Sequence, residues 1–185
     1  MTATKIQTVI LMGPPGAGKG VQSQLLADAW SAIHISSGDL LRQAADPRVV
    51  AIMNQGLAVP SEDFTAIMRE AVLALPPDRS VVFDGVTIRP AEVPWMLDLL
   101  KQIGRRLDRV ILLKVDENTT NDRALKRNRG DDAKQIERWR RYRDETMQSI
   151  ELYRQLGLLI EVDGTGTTTE VAARVANALE LSRGR

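Results

Sequence analysis

Several common features are missing from this chain of 185 residues. It has no cysteine, which excludes disulfides and zinc sites built from thiolates. Its single histidine, His34, excludes a metal centre made of several histidines. No segment approaches the roughly 18 apolar residues that a membrane span requires. The formal net charge is only +1, so no overall field favours nucleic acid or a membrane surface as a partner.

Targeting segments and linkers are missing too. Residues 1–7 contain no basic stretch followed by an apolar run, so we expect no signal peptide and a cytoplasmic location. No internal repeat and no linker rich in Gly, Ser or Pro divides the sequence. Residues 1–185 are therefore expected to form one domain, and a monomer is the expected state.

What the sequence does contain is an alternation of β-branched runs and segments with helical periodicity. The runs predict buried strands at residues 8–12, 32–35, 80–83, 109–115 and 158–162. Helices are predicted at residues 21–30, 61–75, 91–103, 117–127, 132–155 and 168–181, with Ser61 as the N-cap of the second. This alternation predicts an α/β fold with a five-stranded parallel sheet and helices on both faces.

A glycine-rich loop follows the first predicted strand and leads directly into a helix. It consists of Gly13, Pro14, Pro15, Gly16, Ala17, Gly18, Lys19 and Gly20. Glycines let backbone N–H groups converge on an anion, the helix N-terminus adds partial positive charge, and Lys19 neutralises the outer phosphates of a nucleoside triphosphate. The alternative is a glycine-rich turn that binds nothing. Neither Gly20 nor Val21 supplies the hydroxyl that the general pattern GxxxxGK[ST] offers to magnesium.

The loop resembles that of the adenylate kinase family of nucleoside monophosphate kinases, which ends in the same Gly-Lys-Gly. Other family motifs follow in order. They are the monophosphate-binding segment at 34–42, the GxLVP turn at 56–60, the start of DGFPRT at 84–85, the lid arginines with RxDD at 123–132, and the turn near the adenine pocket at 162–164. The resemblance covers nearly the whole chain. It implies a P-loop three-layer sandwich with a small helical monophosphate-binding segment at about 36–65 and a short lid at about 126–133.

The resemblance also implies an activity and its residues. The activity is reversible phosphoryl transfer from ATP to AMP, giving two ADP, with Mg²⁺ and without zinc. The implied catalytic residues are Lys19, Arg42, Arg89, Arg127, Arg129, Arg138 and Arg140. ATP would be bound by Gly16, Ala17, Gly18, Lys19, Gly20, Val21, Arg123, Arg127 and Gly166. The acceptor would be bound by Ser37, Arg42, Leu57, Ala58, Val59, Gly85, Arg89, Glu92, Arg129 and Arg140.

Asp84 is the implied magnesium residue, acting through water. It ends an apolar strand, at the sheet edge where open α/β folds bind ligands.

Two spacings compete for the lid arginine. Counting forward from Asp132 selects Arg140, whereas counting back from Tyr142 and Thr146 selects Arg138. Arg141 and Arg143 are expected on a solvated helix face.

The chain departs from the family motif after Gly85. Ile88 stands where the family has a phosphate-binding arginine, and Arg89 comes one position later. Glu92 replaces a base-reading glutamine, and a carboxylate, which only accepts hydrogen bonds, suits guanine better than adenine. Ser37 keeps a hydroxyl where adenylate kinases have Thr and the related pyrimidine kinases tend to have Ala, so the resemblance favours a purine acceptor. The alternatives left open are a kinase for GMP, CMP or UMP and a catalytically impaired module that binds ATP.

Overall fold

The computed structural model describes residues 7–120 and 132–182. Its centre is a five-stranded sheet in the order β2-β3-β1-β4-β5, and every neighbouring pair is parallel. The strands are β1 Thr8–Met12, β2 Ile33–Ser36, β3 Val81–Asp84, β4 Arg109–Lys114 and β5 Leu159–Asp163. The predicted parallel sheet is confirmed, with β2, β3 and β5 each beginning and ending one residue later than expected.

The helices agree with the predicted positions at most places. They are α1 Lys19–Trp30, α2 Ser37–Arg42, α3 Pro47–Asn54, α4 Ser61–Leu73, α5 Glu92–Gln102, α6 Asp132–Arg141, α7 Met147–Gln155 and α8 Thr168–Leu181. Residues 117–120 are also helical. The remainder of the helix predicted at 117–127 lies outside the described residues.

The prediction of one continuous α-helix at residues 132–155 is wrong. A π-helical turn, Tyr142–Thr146, separates α6 from α7. A π turn closes its hydrogen bonds over five residues and is selected by packing, so helical periodicity does not reveal it.

The start of α4 differs from the expectation, and α3 was not predicted. Pro60, not Ser61, is the N-cap of α4, and no side chain in the described part of the protein caps that end. Ser61 is already helical, because the extended backbone of Pro60 supplies the change of direction. The acidic first turn, Glu62 and Asp63, is confirmed. The sequence does contain a signal for the start of the short helix α3, namely the N-cap Asp46 followed by proline at the first helical position.

The core lies on both faces of the sheet. Successive side chains of a strand point to opposite faces, so Ile10 belongs to a core cluster with residues of α2, α3, α4, α5 and α7, whereas Val9 belongs to one with residues of α1 and α8. Phe83 and Tyr153 are fully buried in the first of these layers. Burying a large apolar side chain stabilises the fold by roughly 1.5–3 kcal/mol.

The sheet order also fixes where a ligand can bind. β1 lies between β3 and β4, so the chain leaves β1 toward one side of the sheet and returns later to the other side. Loops that follow neighbouring strands then diverge and leave a crevice at the carboxyl edge. The predicted phosphate loop follows β1 and Asp84 ends β3, so both lie at this crevice.

Candidate active site

The predicted phosphate loop connects β1 to α1. Gly18 is the N-cap of α1 and has φ 91° and ψ 14°, a left-handed conformation that glycine adopts without strain. Because α1 begins at Lys19, the amides of its first turn have no acceptor within the helix. The loop therefore presents backbone donors and the positive end of a helix dipole to an anion.

Lys19 lies over the same loop. Its Nζ donates hydrogen bonds to the carbonyl oxygens of Gly13 and Pro14, each at 2.9 Å. Burial lowers the pKa of Lys19, the Asp84 carboxylate opposes that shift, and Arg138 adds to it. The ammonium is thus held at the mouth of the loop, near one carboxylate and one further cation.

Asp84 lies beside the start of α1. A Cβ built on Gly20 would come within 3.3 Å of Asp84 Oδ2, so glycine leaves room for the carboxylate where the commoner loop carries Ser or Thr. Burial raises the pKa of Asp84, and the charge of Lys19 opposes this. Among the described residues, no group of three or more His, Cys, Asp or Glu forms a metal cage. A single carboxylate beside an anion cradle fits a Mg²⁺ ion that arrives on a triphosphate and keeps several waters.

Helix α2 forms the opposite wall of the crevice. Ser37 is buried, and its Oγ donates to the carbonyl oxygen of Gly85 at 2.6 Å. Arg42 Nη2 donates to Asp39 Oδ1 at 2.6 Å, and 53% of the Arg42 side chain is exposed. The hydrogen bond from Arg42 is the main reason that the pKa of Asp39 lies below its usual value. Arg42 is therefore oriented by one exposed partner and remains accessible to an anion.

The turn between α3 and α4 continues this wall. Leu57, Ala58 and Val59 all line the cleft, as the resemblance implied. Val59 is buried, and its carbonyl oxygen accepts a hydrogen bond from Arg89 Nη2 at 2.8 Å. The turn is thereby joined to the segment that departs from the family motif.

In that segment, Arg89 faces the cleft beside Ile88. Its Nη1 donates to Glu92 Oε1 at 3.0 Å, and its backbone N–H donates to Glu92 Oε2 at 3.1 Å. Only 3% of the Glu92 side chain is exposed. Both oxygens of the buried carboxylate therefore bind Arg89.

A left-handed residue precedes this arginine. Thr87 has φ 56°, which is strained for a β-branched side chain. Tyr153 Oη donates to Thr87 Oγ1 at 3.2 Å, and Ser149 Oγ donates to the carbonyl oxygen of Ile88 at 3.2 Å. Burial raises the pKa of Tyr153, so it stays a donor. Two side chains of α7 thus hold the strained turn in place.

The arginines of α6 and the π turn point in different directions. Arg138 and Arg141 are three residues apart, share one helix face and line the cleft. Only 14% of the Arg141 side chain is exposed, so the expectation of a solvated face is wrong for Arg141. Arg143 is 53% exposed and pairs with Glu117, so that expectation is confirmed for Arg143.

Arg140 lies outside the cleft formed by the described residues. Its guanidinium pairs with Glu137 at 2.7 Å and with Asp144 at 3.4 Å, and 61% of its side chain is exposed. Tyr142 and Thr146, from which the alternative spacing was counted, do line the cleft. The placement therefore favours the spacing that selects Arg138.

The other implied residues fall into three groups. Gly16, Gly18, Gly20, Val21 and Gly85 line the cleft, and the loop residue Ala17 is buried against the core. Gly166 lies in the turn before α8, with φ 96°, away from the cleft as formed by residues 7–120 and 132–182. Arg123, Arg127, Arg129 and Asp131 lie outside the described residues, as does the predicted lid up to residue 131.

These walls border one open cleft of about 730 Å³. It joins the phosphate loop, α2, the turn after α3, the segment after β3 and the α6 face that carries Arg138 and Arg141. Two cationic groups of side chains, around Lys19 and around Arg42 and Arg89, thus face one space. Within the described ranges, no helix has the length and apolar character needed to cross a bilayer.

Comparisons with known proteins agree with this geometry. A profile of the adenylate kinase family matches residues 11–158. An adenylate kinase of Deinococcus radiodurans is 34% identical over 97% of this chain and 100% of its own length. An adenylate kinase of Prochlorococcus marinus is 32% identical over 94% of this chain and 97% of its own length. One from Clavibacter michiganensis is 34% identical over 92% of both chains. The chain belongs to the adenylate kinase family.

Proposed function

We propose that this protein transfers the γ-phosphoryl group of ATP to AMP, giving two molecules of ADP, and that it catalyses the reverse reaction. The observation that carries the proposal is the pair of cationic sites in one cleft, Lys19 on the phosphate loop and Arg42 with Arg89 on the opposite wall. Direct transfer between two nucleotides requires both phosphate chains to lie in line within one enclosed space.

The donor site is the loop between β1 and α1. The amides of residues 16–20 and the ammonium of Lys19 hold the β- and γ-phosphates of ATP. Asp84 would hold, through water, the magnesium ion that accompanies ATP. When bound, Mg²⁺ neutralises charge on the β- and γ-phosphate oxygens. Gly20 supports this arrangement, since a side chain there would crowd Asp84.

The acceptor site is the opposite wall. Arg42 and Arg89 bind the phosphate of AMP, and the turn of Leu57, Ala58 and Val59 lies against its nucleoside. The contacts of Glu92 bear on the choice of base. Both of its oxygens accept from Arg89 and only 3% of its side chain is exposed, so Glu92 offers the N–H groups of guanine less than a free carboxylate would. This weakens the argument for GMP and supports AMP.

The transfer itself requires neutralised charge more than a covalent catalyst. An oxygen of the AMP phosphate attacks the γ-phosphorus, the bond between that phosphorus and the β–γ bridging oxygen breaks, and ADP leaves with those electrons. Arg138 and Arg141 face the cleft from α6 and stabilise the charge spread over the transferred group. We assign this role to Arg138 in place of Arg140, which pairs elsewhere. Lid contributions from Arg123, Arg127 and Arg129, a monomeric state and a cytoplasmic location remain predictions.

The test is ADP formation from ATP, AMP and Mg²⁺, followed in a coupled assay. We expect Lys19→Ala to lower kcat by about 100- to 1,000-fold, the range found when one preorganised donor to a developing anion is removed. Lys101→Ala is the matched control, because Lys101 is an exposed lysine in the last turn of α5. It should leave kcat and both KM values unchanged.

A panel of AMP, GMP, CMP and UMP then tests the acceptor. Preference for another monophosphate would overturn AMP as the acceptor and keep the kinase. Turnover with none of them, beside tight ATP binding in calorimetry, would instead identify a nucleotide-binding module without activity.

A further inference from the structure

Arg89 lies between carboxylates from two walls of the cleft. Glu92, in the first turn of α5, binds it on one side at 3.0 Å. Glu145, in the π turn, approaches from the other side, with its Oε2 at 3.3 Å from Arg89 Nε. Two formal negative charges therefore face one guanidinium, and an incoming phosphate must share Arg89 with them.

The two carboxylates are held in different ways. Glu92 is 3% exposed and accepts from both the backbone N–H and the guanidinium of Arg89. Glu145 is 38% exposed, and its only ion pair within the described residues is the one with Arg89. Its Oε2 is buried yet has no hydrogen-bond partner in that part of the chain. Glu92 is thus a fixed support, whereas Glu145 is the partner that another anion can replace.

A second cation, Arg141, interacts with Glu145. Burial lowers the pKa of Arg141, and the charges of Glu137 and Glu145 oppose that shift, so Glu145 already lies within the field of Arg141. Loss of Arg89 therefore does not leave this carboxylate without a nearby cation.

We propose that Glu145 competes with the phosphate of the acceptor for Arg89 and thereby sets the affinity for the acceptor nucleotide. The inference rests on the proposed function, in which Arg89 binds that phosphate. Glu145 does not contact the reacting atoms in this role; it acts through Arg89. The donor nucleotide, bound at Lys19, is not affected.

The first experiment compares Glu145→Gln with the unchanged protein. The amide keeps the shape of the side chain but removes the competing charge, so KM for AMP should fall about fivefold, the upper end for one partly exposed ion pair. KM for ATP should stay within about twofold, since Glu145 pairs with Arg89 on the acceptor wall and salt screens a partly exposed charge. Glu151→Gln is the matched control, because it removes the same charge from α7, where Glu151 pairs with Arg154. It should change neither KM.

The second experiment tests the route through Arg89. AMP affinity is measured by calorimetry for the unchanged protein, Glu145→Gln, Arg89→Ala and the double variant. Competition at Arg89 predicts that Glu145→Gln strengthens binding only when Arg89 is present. An equal gain in the Arg89→Ala background would mean that the charge acts through Arg141 or the general field, and would overturn the proposal.

The remaining outcomes are equally decisive. Unchanged or higher KM for AMP in Glu145→Gln, with the urea midpoint of unfolding retained, would show that Glu145 does not compete. Absence of ADP formation from AMP in the unchanged protein would reject the proposed function instead. The two failures are thus distinguishable.

Discussion

Lys19 and Asp84 illustrate how single residues carry charge into the interior. Burial lowers the pKa of Lys19 and raises the pKa of Asp84, so each ion is destabilised by loss of water. Each also relieves the other, because unlike charges favour both ionised forms. Replacing both residues by apolar side chains would remove this cost of folding. It would also remove the proposed phosphate site.

The raised pKa of Asp84 gives a prediction about stability and pH. Its native pKa lies above the unfolded value near 3.8, so the native state keeps this proton longer. The free energy of unfolding therefore falls as pH rises from the unfolded to the native pKa. Asp84→Asn cannot titrate, so its stability relative to the unchanged protein should increase between about pH 4 and pH 7. Urea unfolding at both pH values measures this change.

The difference between the two pH values, not the absolute stability, is the relevant quantity, because Lys19 loses its partner in this variant at every pH. Asp116→Asn serves as a comparison. The hydroxyl of Thr119 lowers the pKa of Asp116. The stability of Asp116→Asn relative to the unchanged protein should therefore decrease as pH rises, mainly below about pH 4. A constant offset between Asp84→Asn and the unchanged protein would contradict the prediction.

Single residues were predictable where a motif fixes their backbone setting. Lys19, Arg42 and Asp84 follow from loops whose glycines and strand ends define the position, and all three line the cleft. Arg141 and Glu145 were missed because their orientation depends on a helix face and on a π turn. The signal available for Arg141 was its three-residue spacing from Arg138, which places both on one face.

At the scale of elements, α7 supports the strained turn that carries Arg89. We expect Tyr153→Phe to lower the free energy of unfolding by about 1 kcal/mol, since one buried hydrogen bond to Thr87 is lost. Relaxation of the left-handed Thr87 should also move Arg89, so KM for AMP should rise severalfold while KM for ATP stays the same. Urea unfolding and steady-state kinetics give the two measurements.

Ser149→Ala should act in the same direction, because Ser149 bonds the carbonyl of Ile88. Ser182→Ala is the matched control, since the Ser182 hydroxyl bonds Leu179 at the end of α8. If Tyr153→Phe lowered stability but left both KM values unchanged, α7 would support the fold and not the acceptor site.

The elements themselves show what periodicity can and cannot predict. Regular strands and the longer helices follow from side-chain alternation and apolar spacing, and these were located to within a few residues, whereas the short helices α2 and α3 were not predicted individually. The π turn and the N-cap at Pro60 were not, because both depend on how the backbone meets its neighbours. The consequence is functional, since the π turn is what carries Glu145 to Arg89.

For the whole molecule, the sheet was predictable in kind but not in order. Alternating strands and helices require parallel pairing, yet which strand lies next to β1 depends on long-range packing. The observed order places β1 between β3 and β4, and this brings the loop of Lys19 next to Asp84. The cleft is thus a property of the topology, with the proposed donor half on the phosphate loop and the proposed acceptor half on α2 and the turn after α3.

Hydrogen exchange should separate these halves. A non-hydrolysable ATP analogue with Mg²⁺ should slow amide exchange in residues 16–20, whereas AMP alone should slow exchange in residues 37–42 and 56–59. The reason is that each ligand binds or orders the amides of its own wall, while the buried strands are already protected and should not respond. Mass spectrometry of peptides that cover these ranges gives the measurement. If AMP alone protected residues 16–20 and not the opposite wall, donor and acceptor sites would have to be exchanged, and Lys19 would no longer define the ATP site.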